Sequence, residues 1–373
     1  MIYLDNAATT PVRPEALQAA WPWLTSEFGN PSSTHEPGLR AKAALEDARA
    51  RVATFFNAKS SEIVFTSGGT ESINQAIIGL ALANPRGKHL VSSRTEHQAV
   101  LASIDFLERE HGFETTWLQL DSAGKILNFQ DALRNDTTLV TLMTVNNEIG
   151  TVHPIGELAI AAHEVGALFH TDAVQAVGWQ DLDVHALNVD ALSVSGHKFG
   201  APKGCGVLFV KSRVQLEPLI HGGGQENELR SGTQNVAWAV AIATALELLP
   251  TSDAEIAEVS RIRDQFISQV LATIPQAGLT GDATTRNANI ASFVFAGING
   301  ETLLLELERK GIIVSSGSAC AAGSDEPSHV LLAIGTDPGL AQTAVRFSFT
   351  HATTEHDLQL AAEALQECVA KFQ

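Results

Sequence analysis

Short apolar runs alternate with helix-patterned segments through the first two-thirds of this 373-residue chain. EIVF (62–65), HLVSS (89–93), TTWLQL (115–120), TLVTLMTV (138–145), ALFHTDA (167–173), DALSVS (190–195) and GVLFV (206–210) read as strands. Several are apolar on both faces, as in a sheet covered on both sides. Between them, LRAKAALEDARARVATFF (39–56) places Leu39, Ala43, Ala48, Val52 and Phe55 close to a 3–4 spacing, and IGELAIAAHEVG (155–166) is a second helix. Strand–helix–strand repetition implies an α/β fold with a mostly parallel open sheet. The pattern changes near residue 235, where two helices, about 235–249 and 253–273, follow one another. ASFVFAG (291–297), IIVSS (312–316) and AVRFSFT (344–350) then read as strands, with GETLLLELERKG, SHVLLAIG and TTEHDLQLAAEALQECVAKF as helices. The expected division is an N-terminal arm over 1–14 that packs with a small domain, a large domain over 15–255 and a small C-terminal domain over 256–373.

The net charge of −18 argues against nucleic-acid or anionic-membrane binding, which needs clustered Lys and Arg. No signal peptide and no apolar run of membrane-spanning length is visible. The three cysteines, Cys205, Cys320 and Cys368, form no CxxC pair, so neither a disulfide framework nor a structural zinc site is expected. A reducing, cytoplasmic setting is the simplest expectation.

Four polar clusters fall at ends of predicted strands, where ligands bind in open α/β sheets. TSGGTES (66–72) follows EIVF and opens a helix; its small residues and free helix-terminal N–H groups suit a phosphate, although a capped tight turn explains it equally well. It is neither a Walker A motif nor GxGxxG, which disfavours an ATPase or an NAD enzyme. In HTDAVQ (170–175), Asp172 could pair with the pyridinium nitrogen of pyridoxal phosphate and Gln175 could bond its phenolate oxygen. In SVSGHKFGAPKGCG (193–206), Lys198 leaves a buried strand, and a desolvated lysine suits a Schiff base. Lys203 is the rival lysine, in a PKG turn. HGGGQENELRSGTQN (221–235) forms a second anion-friendly loop, one explanation being service to a phosphate in a neighbouring subunit. His97 could stack on a flat ring, and Arg346, within an apolar strand, wants a carboxylate from the protein or a substrate. Cys320 lies in SSGSACAAGSDEPS (315–328), a run of small residues unlike the usual setting of a buried free cysteine.

YLDNAATTP, FGNPSSTH, FTSGGTESIN, TEHQAV, VNNEIGT, HTDAVQ, SGHKFGAPKG, GGGQE, RSGT and SSGSAC occur here in this order. Together they resemble the signature set of cysteine desulfurases of the NifS/IscS type, within the class V aminotransferase group. The resemblance runs from residue 3 to about residue 350, and the ordered set is far more specific than any one motif. It implies fold type I: a large domain with a mostly parallel seven-stranded sheet sandwiched by helices, plus a smaller α/β C-terminal domain. It implies pyridoxal phosphate held by Lys198, with Asp172 on the ring nitrogen, Gln175 on the phenolate oxygen, and His97 stacked on the ring and assisting proton transfer. Gly69, Thr70, Ser195 and His197 would bind the phosphate, joined by Thr233 from a partner subunit of a homodimer. Asn147 and Arg346 would bind the substrate carboxylate, and Cys320 would accept sulfur from L-cysteine as a persulfide, leaving alanine. Small residues around Cys320 would let the thiol reach both the cofactor and an external sulfur acceptor, such as an iron–sulfur scaffold protein. Gln225 stands in GGGQE where some members carry histidine, and AAGSDEP after Cys320 also differs from some members.

Selenocysteine lyase activity would use nearly the same site. A plain aminotransferase has no need of a loop thiol. A non-catalytic sulfur-transfer scaffold is disfavoured by the presence of Lys198 and Asp172. No HExxH or comparable ligand cluster supports a metal site.

Overall fold

A computed structural model describes residues 1–84, 86–250, 252–316 and 326–372. Fourteen strands occur among them: β1 (Ile2–Tyr3), β2 (Ile63–Thr66), β3 (His89–Ser92), β4 (Glu114–Trp117), β5 (Gln119–Leu120), β6 (Ile126–Leu127), β7 (Thr137–Met143), β8 (Leu168–Asp172), β9 (Ala191–Ser195), β10 (Gly206–Val210), β11 (Ala277–Leu279), β12 (Ile290–Phe295), β13 (Ile312–Ile313) and β14 (Val345–Ser348). Seven build the central sheet in the order β2-β10-β9-β8-β7-β3-β4. Only β10 is reversed, antiparallel to both β2 and β9.

That register gathers one edge of the sheet. Gly206 at the start of β10 faces Thr66 at the end of β2 and Ser195 at the end of β9. Asp172 at the end of β8 faces Ser193 of β9 and Met143 at the end of β7. The carboxyl ends of β2, β9, β8 and β7 therefore meet along one crevice, as expected where ligands bind in open α/β sheets.

The sheet is covered on both faces, and its strands alternate between them with the period of two that a pleat imposes. Ile63, Val91, Val140, Phe169, Leu192 and Val207 enter one core beneath helices α1 (Pro14–Leu24), α2 (Glu36–Phe55), α5 (Ile155–Glu164) and α6 (Val236–Glu247). Their neighbours Val64, Leu90, Leu139, Ala191 and Leu208 enter another beneath α3 (Gly69–Ala83) and α4 (Gln98–His111). In α2 the buried stripe is Ala41, Leu45, Ala48 and Val52. Leu39 and Ala43, expected on that face, are exposed, because the 41/45/48/52 register is the one that packs on α6.

TTWLQL is not one strand. Arg94 lies over the Trp117 ring at 3.8 Å, and Leu118 donates to the Ser92 carbonyl. The chain then leaves the sheet and folds the β5–β6 hairpin, whose turn is closed by Asp121 Oδ1 accepting from Ala123 and Lys125. The α1 segment, with Pro22 inside it, and the short β11 carry no strong sequence signal.

The second unit is the antiparallel sheet β11-β12-β14. Helices α7 (Asp253–Thr273), α8 (Gly300–Arg309) and α11 (Glu355–Ala370) contribute to its core. IIVSS contributes the two-residue β13, which pairs with β1, while Ser315 makes an isolated antiparallel bridge to Arg346 of β14. Residues 2–7 thereby run along the second unit: Asn6 Nδ2 donates to the Ser348 carbonyl at 2.8 Å, and Ser348 Oγ accepts from the Ala7 amide at 2.8 Å. Two short helices, α9 (His329–Ala333) and α10 (Pro338–Ala341), pack with Ile149 and Val294 in a small satellite core. No helix among the described residues is long and apolar enough to cross a membrane.

Phe266 of α7 packs edge-on against Phe347 and Phe349, with ring centroids at 5.0 and 6.1 Å, and is fully buried. Phe266→Ala is expected to destabilise this core by roughly 3–5 kcal/mol, read from urea denaturation, because the aromatic ring leaves a cavity that rigid β-strand neighbours cannot refill.

Candidate active site

The crevice holds a cavity of about 520 Å³. Gly69, Thr70, His97, Asn147, Asp172, Gln175, Ser195, His197, Lys198 and Arg346 all line it. Two expected site residues do not. Thr233 is exposed and lines a neighbouring depression with Ser67, Gly204 and Arg230. Cys320 lies outside the described residues.

At one end is an anion cradle. Gly68 caps α3 at φ +152°, a conformation that favours glycine, and no side chain among the described residues caps the helix. A Cβ on Gly69 would approach Val174 Cγ2 at 3.0 Å and Ser195 Cβ at 3.2 Å, so a side chain there would fill the cradle. The bare first-turn amides and the helix dipole make this end receptive to a phosphate. Glu71, in the first turn of α3, is held by Arg230 Nε at 2.8 Å, which ties the RSGT loop to the cradle. Lys203 is exposed but lines the outer mouth of the cradle with Thr70 and Glu71.

Asp172 ends β8 and is buried at the cavity wall. Its Oδ1 accepts from the Val174 amide at 2.9 Å. Burial raises its pKa, while His97, Val174 and Lys198 pull it back. A buried carboxylate of this kind is satisfied by a protonated nitrogen. His97 caps α4 by accepting the Ala99 amide at Nδ1, 3.1 Å away, which places its proton on Nε2.

Lys198 ends the single 3₁₀ turn Gly196–Lys198 that follows β9. Its Nζ donates to the carbonyls of Ala7 at 2.5 Å and Ala8 at 2.9 Å. Gln175 Nε2 donates to the same Ala7 carbonyl at 2.9 Å. His197 is fixed by Thr9 Oγ1 at 3.1 Å, and its carbonyl accepts from Thr10. Burial, then the charges of Lys198 and Lys203, lowers the His197 pKa to about 4, so the ring is a neutral hydrogen-bonding group.

At the far end, Arg346 is 1% exposed. Its Nη1 donates to the Asn147 carbonyl and its Nη2 pairs with Asp5, each at 2.8 Å. Of the two adjacent asparagines, Asn146 is structural: its Nδ2 donates to Thr95, and its Oδ1 accepts from the Glu148 and Ile149 amides. Asn147 is the one at the cavity.

Four residues beyond the sequence reading belong to the site. The Ala7 and Ala8 carbonyls hold the lysine, but backbone acceptors carry no side-chain signature. Glu148 lines the cavity and accepts from Ser328 Oγ, and His329 lines it from α9. Glu148 stood inside the quoted VNNEIGT motif; His329 looked like part of an ordinary amphipathic helix.

The donor set fits pyridoxal phosphate: an uncapped helix terminus at a cradle without side chains, a buried acid and a lysine amine open to one cavity. No cluster of three His, Cys, Asp or Glu among the described residues could hold a metal. Cys205 and Cys368 are buried free thiols, and burial pushes Cys205 up to about 12.

The family described as aminotransferase class-V matches residues 2–360. The chain belongs to this family. Within it, the chain is 46% identical over 375 residues to the cysteine desulfurase IscS of Dictyoglomus turgidum, covering 100% of this chain and 95% of that protein. It is 46% identical over 378 residues to the cysteine desulfurase IscS of Methanosarcina thermophila, covering 100% and 92%. Among solved structures, a NifS-like protein superposes with TM-score 0.90 at 33% identity over 99% of both chains. A structure described as SspA in complex with cysteine superposes with TM-score 0.83 at 36% identity, covering 95% of this chain and 100% of that one. Class-V aminotransferases of this NifS/IscS type have fold type I and use pyridoxal phosphate, in accord with the cradle, acid and lysine of this site.

His197 carries a direct test. Because its folded pKa is lowered, the ring stays neutral through the neutral range and charges only as pH falls to about 4. An NMR titration of the His197 ring is expected to show no midpoint near the ordinary histidine value of 6.5.

Proposed function

We propose that this chain is a cysteine desulfurase that moves the sulfur of L-cysteine to Cys320 and releases L-alanine. The observation that carries the reading is the convergence of the α3 terminus, Asp172 and Lys198 on one cavity closed at its far end by Arg346. Gly69, Thr70, Ser195 and His197 would hold the phosphate, Asp172 the ring nitrogen, Gln175 the phenolate oxygen, and His97 a face of the ring. Pyridoxal phosphate, when bound, supplies an electron sink that stabilises negative charge on the substrate's α-carbon.

The chain's own groups do the rest. Lys198 Nζ, the one lysine amine among the described residues lining the cavity, would bind the cofactor and carry protons to and from substrate carbon. Arg346 and Asn147 orient the substrate carboxylate, with Asp5 as the counter-ion of Arg346 when no substrate is present. Cys320, as thiolate, takes the sulfur: an S–S bond forms, the C–S bond of cysteine breaks, and the carbon skeleton gains a proton to leave as alanine.

The persulfide would then pass to a sulfur acceptor, for iron–sulfur cluster assembly, tRNA thiolation or a dedicated iron–sulfur enzyme. The arm, the large domain and the small domain are assigned to 1–14, 15–255 and 256–373, with the strand pairing of residues 2–3 in support. A homodimer would let Thr233, which is exposed and lies outside its own chain's cavity, serve the partner's phosphate. Two unpaired buried cysteines suit a reducing, cytoplasmic setting.

The deciding assay adds L-cysteine and a reductant to the pyridoxal phosphate-loaded protein and measures alanine and sulfide together. Equal yields are expected; alanine without sulfur transfer would sink the reading. Lys198→Ala is expected to remove the visible band of the bound cofactor. Cys320→Ala is expected to keep that band and to abolish sulfide release; full turnover in that variant would exclude Cys320 as acceptor.

A further inference from the structure

Glu96 is a second buried acid beside the site, and the reaction just described does not use it. Its side chain is completely enclosed. Oε1 accepts one hydrogen bond, from the Met143 amide at 3.0 Å, and Oε2 has no partner among the described residues. Met143 is the register partner of Asp172, so the two acids approach the same pair of strand ends. No cation among the described residues is bonded to Glu96. An ionised carboxylate with one amide donor, next to another acid, is far more costly to bury than a neutral acid with one unmet O–H.

The surrounding turn is bolted in place. Ser93 Oγ pairs with Thr95 Oγ1 at 2.8 Å, and the Thr95 carbonyl accepts from Asn146 Nδ2 at 2.9 Å. The Glu96 carbonyl accepts from His329 Nε2 at 3.0 Å, which joins α9 to the residue before His97. Glu96 is thus the point where the end of β7, the His97 turn and α9 meet.

We propose that Glu96 is carried as a neutral carboxylic acid, a positioning residue that fixes the His97 turn on β7 and leaves Asp172 the only anion beneath the cofactor ring. The functional part rests on Asp172 being the cofactor's partner; the protonation state does not. Burial, with the adjacent Asp172, raises the Glu96 pKa well above the ordinary value, in keeping with the geometry. The ionisable groups facing the pair are Asp172 from β8, His97 from the same turn, Lys198 after β9, and His329 from α9 on the backbone side. A charge on Glu96 would push Asp172 toward protonation and weaken its hold on a protonated ring nitrogen.

Infrared difference spectra of wild type, Glu96→Gln and Asp172→Asn at neutral pH test this, with and without pyridoxal phosphate. An un-ionised carboxylic carbonyl band is expected in wild type and in Asp172→Asn, and is expected to vanish in Glu96→Gln. A band that vanishes in Asp172→Asn instead, or is missing from wild type, would overturn the proposal. If Glu96→Gln does not fold, the wild-type and Asp172→Asn pair decides alone. The cofactor-free spectra keep this test separate from the desulfurase assignment.

Stability against pH gives a second readout. Folded Glu96 keeps a proton that the unfolded chain releases, so wild type loses stability as pH rises above the ordinary glutamate range. The denaturation-midpoint advantage of Glu96→Gln is expected to widen over that rise; a constant gap would contradict the proposal. In turnover, Glu96→Gln retains the acceptor for Met143 and is expected to stay near wild type, whereas Glu96→Ala falls about tenfold. Equal losses in both would also overturn it.

Discussion

The carbonyl of Ala7 organises the site. It accepts from both Lys198 Nζ and Gln175 Nε2, and the amide of the same residue donates to Ser348 Oγ. One peptide segment thus connects the lysine of the central sheet to the last strand of the second sheet. A lysine emerging from a buried strand must find acceptors, because an unsatisfied ammonium in such a place is expensive. The arm supplies two carbonyls that aim Nζ.

The acids and bases are separated by environment rather than by distance along the chain. Burial makes His197 a neutral donor or acceptor at the cradle and raises Asp172 only as far as His97, Val174 and Lys198 allow. Cys205 passes beneath Gly196 and donates to the Pro202 carbonyl, and its raised pKa keeps it a packing residue close to the reactive lysine. The positive end of α3 is left for a ligand because Gly68 and Gly69 bring no side chain to satisfy it.

Much of this was legible in the sequence because the chemistry sits in contiguous motifs after apolar strands. TSGG, HTDAVQ and SGHK each declare a strand end and a polar function together. The strands were also readable as continuous apolar runs, since both faces of the sheet are buried. Other features depend on contacts between distant segments. Leu39 and Ala43 fit a helical spacing, but the partner helix α6 selects the stripe 41/45/48/52 instead. The reversed direction of β10, the break at Leu118 and the Asp5–Arg346 pair follow from tertiary pairing that no local pattern specifies. Glu96 was inside a quoted motif, yet only its enclosure and its bare oxygen distinguish it from an ordinary surface glutamate.

The threading of the arm also bears on how the protein is made. Ile2 donates to Gly311, Leu4 to Ile313, and Ser348 closes on Asn6 and Ala7. Residues 2–7 must therefore wait for residues 311–348, made much later, before they find their places. The central sheet can assemble earlier, but its lysine lacks a fixed orientation until β14 has emerged. A chain released short of that strand would keep the phosphate cradle and lose the aimed amine, so synthesis itself delays reactivity until β14 is made.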